Sequence, residues 1–125
     1  MTRAACEDRL AAAAVGRIAV QVAGDPLIVP VVYRYHRGAV VFRTAAGEKL
    51  DVISMNAPAA FQIDEWDLDA HTGWSVLVRG RTEPVYDEEA VSELEGLGLR
   101  SWVPDRQPTT WVRIRPTDIS GRIIG

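Results

Sequence analysis

The feature that most constrains this chain is a series of short β-rich runs separated by turn signals only two to four residues long. Val15 to Val22 is β-branched and partly alternating, and it stops at Ala23-Gly24-Asp25-Pro26, a cluster suited to a tight turn. Leu27 to His36 follows, then Arg37-Gly38, then Ala39 to Arg43. Such spacing predicts consecutive antiparallel strands. Pro30 lies inside the second run and cannot donate to a ladder, so that position belongs at a bulge, at a sheet edge, or where its backbone faces something other than a strand.

Further strands are expected at Ala59–Asp64, Trp74–Val85, Thr109–Arg115 and Asp118–Ile123, for a total of about seven. Helical spacing is confined to short stretches. Thr2 is placed to cap a helix over Arg3–Ala14, with Cys6 and Leu10 on one face. Glu48–Met55 reads as a second helix, and Asp87 as the cap of a third over Glu88–Leu97 that ends near Gly96 or Gly98. The fold class implied is mostly β, a β-barrel with peripheral helices, in one domain over residues 1–125.

Composition narrows the functions open to such a barrel. The formal charge is −3, with acids and bases interspersed, so there is no basic block to neutralise a run of phosphates and nucleic acid is not an expected partner. One cysteine, Cys6, and two histidines, His36 and His71, leave no ligand set for structural zinc. The acids Asp64, Glu65, Asp67 and Asp69 do not follow the spacing of a calcium loop and read as a solvated surface. Every apolar stretch is too short to span a bilayer, and the first residues lack the basic, then apolar pattern of a signal peptide, so no membrane association is expected and the expected compartment is cytoplasmic.

The strongest local signal for chemistry is Phe42-Arg-Thr-Ala-Ala-Gly-Glu-Lys-Leu50, a strand running through a small polar loop into a helix start. Unpaired amides, the helix dipole and Lys49 make that arrangement an anion site suited to phosphate, with Lys49 as a solvated surface residue the alternative reading. Ser75 lacks the Gly-x-Ser-x-Gly elbow of a hydrolase nucleophile, and no Gly-x-Gly-x-x-Gly fingerprint for a nicotinamide dinucleotide is present.

Taken in order, Ile28-Val-Pro-Val-Val-Tyr33, Val41-Phe-Arg-Thr44, Gly47-Glu-Lys49, Gly73-Trp-Ser-Val-Leu-Val-Arg-Gly-Arg81, Trp111-Val-Arg-Ile-Arg-Pro116 and Ile119-Ser-Gly-Arg122 cover nearly the whole chain. This set resembles the split-barrel, FMN-binding proteins related to pyridoxamine 5'-phosphate oxidase. The resemblance implies that Arg43, Thr44 and Lys49 contact a flavin phosphate. It further implies that the backbone around Val31, Val32 and Tyr33 lies against the ring system, with Trp74 and Ser75 touching the flavin as well. A homodimer with its cofactor sites in the subunit interface, and a small-molecule substrate in that cleft, are implied by the same likeness. Vitamin B6 oxidation is not expected: Glu48 replaces a basic residue before Lys49, no Arg or Lys precedes Tyr33 on its strand, and little chain follows Arg122. The expected activity is an FMN-dependent oxidoreductase, with the deazaflavin coenzyme as the alternative cofactor. The rival reading is a non-catalytic module that holds a flavin, a deazaflavin or haem.

Overall fold

The computed structural model describes residues 1–45, 56–99 and 109–125. Helix α1 spans Arg3–Ala12, and strands β1 to β4 span Val15–Val22, Asp25–Val32, Arg34–His36 and Ala39–Ala45. After them come β5 (Pro58–Asp67), β6 (Thr72–Val85), helix α2 (Glu88–Glu95) and β7 (Thr109–Ile124). The seven strands form one antiparallel sheet in the order β2-β1-β5-β6-β7-β4-β3. The expected helix Glu48–Met55 lies outside the described residues.

The two tight hairpins form where the turn chemistry demands. Ala23 and Gly24 both have positive φ, 51° and 86°, as do Arg37 and Gly38, 50° and 75°. Two successive left-handed residues give the twist that joins antiparallel strands through two-residue loops. Thr2 caps α1 by accepting from the Ala5 amide at 3.1 Å, and Asp87 caps α2 by accepting from the Ala90 amide at 3.0 Å.

The run Leu27–His36, expected as one strand, is two. β2 ends at Val32 and β3 begins at Arg34, yet these strands occupy opposite edges of the sheet. One residue, Tyr33, therefore joins the two edges, and the sheet has to curl until they meet. Its amide donates to the Ala14 carbonyl at 3.0 Å, outside any ladder. The expected pair Thr109–Arg115 and Asp118–Ile123 is instead one long strand. Arg79 faces Asp118 and Gly80 faces Pro116, so Thr117 is the extra residue of a bulge that lets β7 bend without breaking. The two differences offset each other, which is why the strand count agrees. Pro30 sits on the edge strand β2.

Period-two alternation fills the barrel. Ile18 and Val20, Phe61 and Ile63, Val76 and Val78, Val112 and Ile114, and Val40 and Phe42 all point to one interior, which α1 closes with Cys6 and Leu10. Gly16 is dictated by this packing, because a Cβ there would lie 2.2 Å from the Phe61 ring. Tyr33 is fully buried at the closure, edge-on to Phe61 with ring centroids 4.7 Å apart. Its hydroxyl donates to the Leu10 carbonyl at 2.7 Å. Leu10 lies in the last turn of α1, where carbonyls have no helical partner, so this bond satisfies the helix end as it pins the crossing.

Tyr33→Phe is expected to lower stability by about 1–3 kcal/mol, since a buried carbonyl loses its donor. Denaturant unfolding measures it. Burial also raises the Tyr33 pKa above its ordinary 10.0. The unfolded chain loses that proton above pH 10 while the folded chain keeps it, so wild-type stability falls as pH rises beyond 10. The Phe variant should show a shallower alkaline slope.

Candidate functional site

β4 is buried on both sides, and its alternation splits the predicted phosphate residues between two environments. Thr44 follows Val40 and Phe42 in register and is fully buried, its hydroxyl donating to the Thr110 carbonyl at 3.4 Å. Arg43 shares the opposite face with Val41, in the direction of α2 and a second apolar cluster of Val41, Val85, Leu94, Leu99 and Trp111. Val32, at the end of β2, packs on the same cluster.

The Arg43 side chain is held in a defined pose. Nε and Nη2 donate to Thr109 Oγ1 at 3.1 and 2.8 Å, and the guanidinium lies over the Trp111 ring, 5.3 Å from its centroid. Trp111 is fixed in turn by Glu95 of α2, whose Oε1 accepts from the indole Nε1 at 2.9 Å. Among the described residues no carboxylate lies within ion-pair distance of Arg43. Among the described residues this half-buried guanidinium thus has hydroxyl and ring neighbours but no carboxylate, and a guanidinium so placed has the donor geometry to form a fork with an anion.

Trp74 and Ser75 lie elsewhere. Arg43 pairs with Trp111 on β7 and Trp74 pairs with Ile123, twelve residues further along the same strand. At about 3.3 Å per residue that is roughly 40 Å measured along the strand, which bends at the Thr117 bulge between them. Trp74 is half-buried against the main core, with the Arg9 guanidinium of α1 4.5 Å from its ring centroid. Ser75 points to the other side of β6, level with Asp64 and Arg122. Beside them a recess of about 200 Å³ is bordered by Trp66, Gly73 and Ile124.

Val31 is buried in the barrel interior, and Tyr33 is fully buried, its ring and hydroxyl engaged within and its amide donated to Ala14. β2 is an edge strand, so alternate backbone groups along Val31 and Val32 point away from β1. Lys49 lies outside the described residues. Of the predicted residues, then, the fold sets Val32 and Arg43 beside the second apolar cluster, turns Thr44 into the barrel interior, and places Trp74 and Ser75 elsewhere on β6.

The sequence pattern does not single out Thr109, Trp111 and Glu95 as neighbours of Arg43. No local spacing could reveal them, since Arg43 and Thr109 are 66 residues apart and meet only through the β4–β7 register. Arg81 braces the start of β5, donating to Asn56 Oδ1 and O at 3.1 and 2.7 Å, and with Arg79 it borders an open groove of about 650 Å³. Among the described residues no group of three metal-ligating side chains converges, and no helix is long and apolar enough to cross a membrane.

A curled seven-stranded antiparallel sheet closed by a one-residue crossing, with one helix plugging the barrel and another beside its second apolar cluster, defines a split-barrel protein. Residues 2–123 match the model of the pyridoxamine 5'-phosphate oxidase family, and the chain belongs to that family. An uncharacterized protein of Mycobacterium tuberculosis is 34% identical over 111 residues, covering 85% of this chain and 72% of its own. The structure of the FAD binding protein from Mycobacterium smegmatis superposes with a TM-score of 0.88 at 35% identity, covering 99% of this chain and 96% of that one. A FAD-binding protein from Mesorhizobium loti gives a TM-score of 0.78 at 25% identity, covering 100% and 96%. The split barrel implied by the sequence resemblance is the fold.

Glu95→Ala is expected to free the Trp111 indole and loosen the stack beneath Arg43, at a cost of about 1 kcal/mol. Glu95→Gln keeps an acceptor and should retain most of that stability; equal losses in the two variants by denaturant unfolding would rule out the hydrogen bond as the cause.

Proposed function

We propose that this protein is a flavin-dependent oxidoreductase acting as a homodimer. In this reading Arg43, with Lys49, holds the flavin phosphate of one site while the buried Thr44 anchors the end of β4 beneath it, and the backbone of Val31, Val32 and Tyr33 flanks the ring system. Trp74 and Ser75 of the second copy complete it. The observation that carries the reading is Arg43, a cation stacked on Trp111 and left without a carboxylate partner among the described residues. The separation of Arg43 from Trp74 along β7 favours the dimer, in which each chain contributes one of the two to a flavin.

The related proteins from Mycobacterium smegmatis and Mesorhizobium loti are named as FAD-binding, which favours FAD over the FMN expected from sequence. When bound, the flavin supplies hydride and electron transfer. The chain's part is to neutralise phosphate charge at Arg43, to keep that guanidinium in place through Thr109 and Trp111, and to leave a small-molecule substrate room in the dimer cleft.

The first check is the visible absorbance of freshly purified protein, followed by titration with FAD, FMN and the deazaflavin coenzyme. A bound flavin that bleaches on adding a reduced nicotinamide or substrate supports the enzyme; binding without any turnover would leave only the non-catalytic module. Arg43→Ala is expected to weaken flavin binding about tenfold or more and to flatten its salt dependence. Unchanged affinity would remove Arg43 from the site.

The shared-site arrangement has its own test. Arg43→Ala and Trp74→Ala homodimers should each bind poorly, while mixed dimers regain one intact site of the two, read as half-stoichiometric flavin binding. No recovery on mixing would place both residues in one chain's site or in none.

A further inference from the structure

A cleft of about 400 Å³ opens between α2 and the β3–β4 hairpin. Its floor is apolar, built from Ala39 and Val41 of β4 and Ala90 and Leu94 of α2, and its rim is cationic, carrying Arg37, Arg113 and Arg115. That combination of an apolar wall with a few converging polar groups, at this size, is typical of small-molecule sites.

The ion pairs around the rim leave donors unused. Arg113 and Arg115 both contact the same oxygen, Oε1 of Glu83, at 2.5 and 2.8 Å, and both do so through Nε. Neither terminal fork is engaged by a carboxylate among the described residues. Across the cleft Glu93 is shared by Arg37 Nη2 at 2.7 Å and His36 Nε2 at 3.1 Å. Among the described residues three arginines thus face two glutamates, which leaves one positive charge in excess even with His36 neutral.

Arg113 and Arg115 are two residues apart on β7, so their side chains leave the same face with one pleat repeat between them, and Arg113 is only 28% exposed. A guanidinium fork matches a carboxylate in two parallel hydrogen bonds, and partial burial strengthens them. We infer that this cleft is a binding site for a small organic monoanion, a carboxylate on an apolar body, held by the Arg113 and Arg115 forks with its body against Val41 and Leu94. The single surplus charge selects a monoanion over a dianion, and the floor selects an apolar body over an inorganic ion. The cleft neither contains Arg43 nor needs a bound flavin, so its occupancy is a separate question from the flavin site.

The experiment is a titration of ¹⁵N-labelled protein with benzoate, followed through the backbone amides of residues 36–39 and 90–94. Benzyl alcohol serves as the neutral analogue and inorganic phosphate as the bare anion. Saturable shifts confined to those amides with benzoate, and absent with the other two, support the assignment. Arg115→Ala removes an exposed side chain and leaves the Arg113–Glu83 pair in place, so the variant should fold and bind benzoate about tenfold more weakly. No saturable shift with benzoate, equal shifts with phosphate, or unaltered affinity in Arg115→Ala would each overturn it.

Discussion

The crossing at Tyr33 governs the rest of the molecule. A seven-stranded antiparallel sheet has two edges, and here a single residue must carry the chain from one to the other. Strand sterics supply the twist that starts the curl, while the crossing decides how far it goes. Such a residue leaves both ladders, so its polar groups need partners elsewhere. Tyr33 finds them at the end of α1, giving its amide to Ala14 and its hydroxyl to Leu10. Barrel closure and helix docking are consequently one event: α1 cannot leave without exposing the crossing, and the crossing cannot open without orphaning the helix end.

Closure also makes β4 a strand with no solvent face. Its residues alternate between the barrel interior and the cluster beside α2. Of the two polar residues near its end, Thr44 falls on the interior side and satisfies its hydroxyl on the backbone of β7, whereas Arg43 falls on the α2 side. Burying a guanidinium beside an apolar cluster is costly unless something compensates for lost water. Trp111 and the Thr109 hydroxyl provide part of that compensation without cancelling the charge. The arrangement keeps Arg43 in place without a carboxylate partner among the described residues, a combination that ordinary surface ion pairing would abolish.

Elements set by neighbours along the chain are legible in the amino-acid sequence: the turns within Ala23–Pro26 and at Arg37-Gly38, the first of which the structure narrows to Ala23-Gly24, the caps at Thr2 and Asp87, and the edge position as one of the options for Pro30. Each depends on backbone conformations that a few residues determine. What the sequence hides is set by closure. Nothing in Val-Val-Tyr-Arg distinguishes a continuous strand from one broken by a crossing, because Tyr33 is a good strand residue and its role comes from α1 and Phe61. Likewise Pro116 reads as the end of a strand, but a bulge at Thr117 absorbs it. For the proposed site, Arg43 and Thr44 stand in the ordered segments of the family pattern, while the neighbours of Arg43, namely Thr109, Trp111 and Glu95, depend on the register between β4 and β7.

Arginine placement on the α2-facing side of β4 and β7 follows one rule with two outcomes. Arg113 and Arg115 lie where Glu83 of the adjacent strand can reach both, so one of their two charges is offset and their spare forks border a cleft. Arg43 lies across from Trp111 on β7, and an aromatic ring attracts a guanidinium without neutralising it. Exchanging the ring for a carboxylate would satisfy Arg43 and lower its attraction for any outside anion. A chain whose net charge is −3 repels anions at long range, so capture of one depends on such local surpluses. That is the physical reason the proposed anionic ligands are placed at Arg43 and, separately, between Arg113 and Arg115, and not over the surface at large.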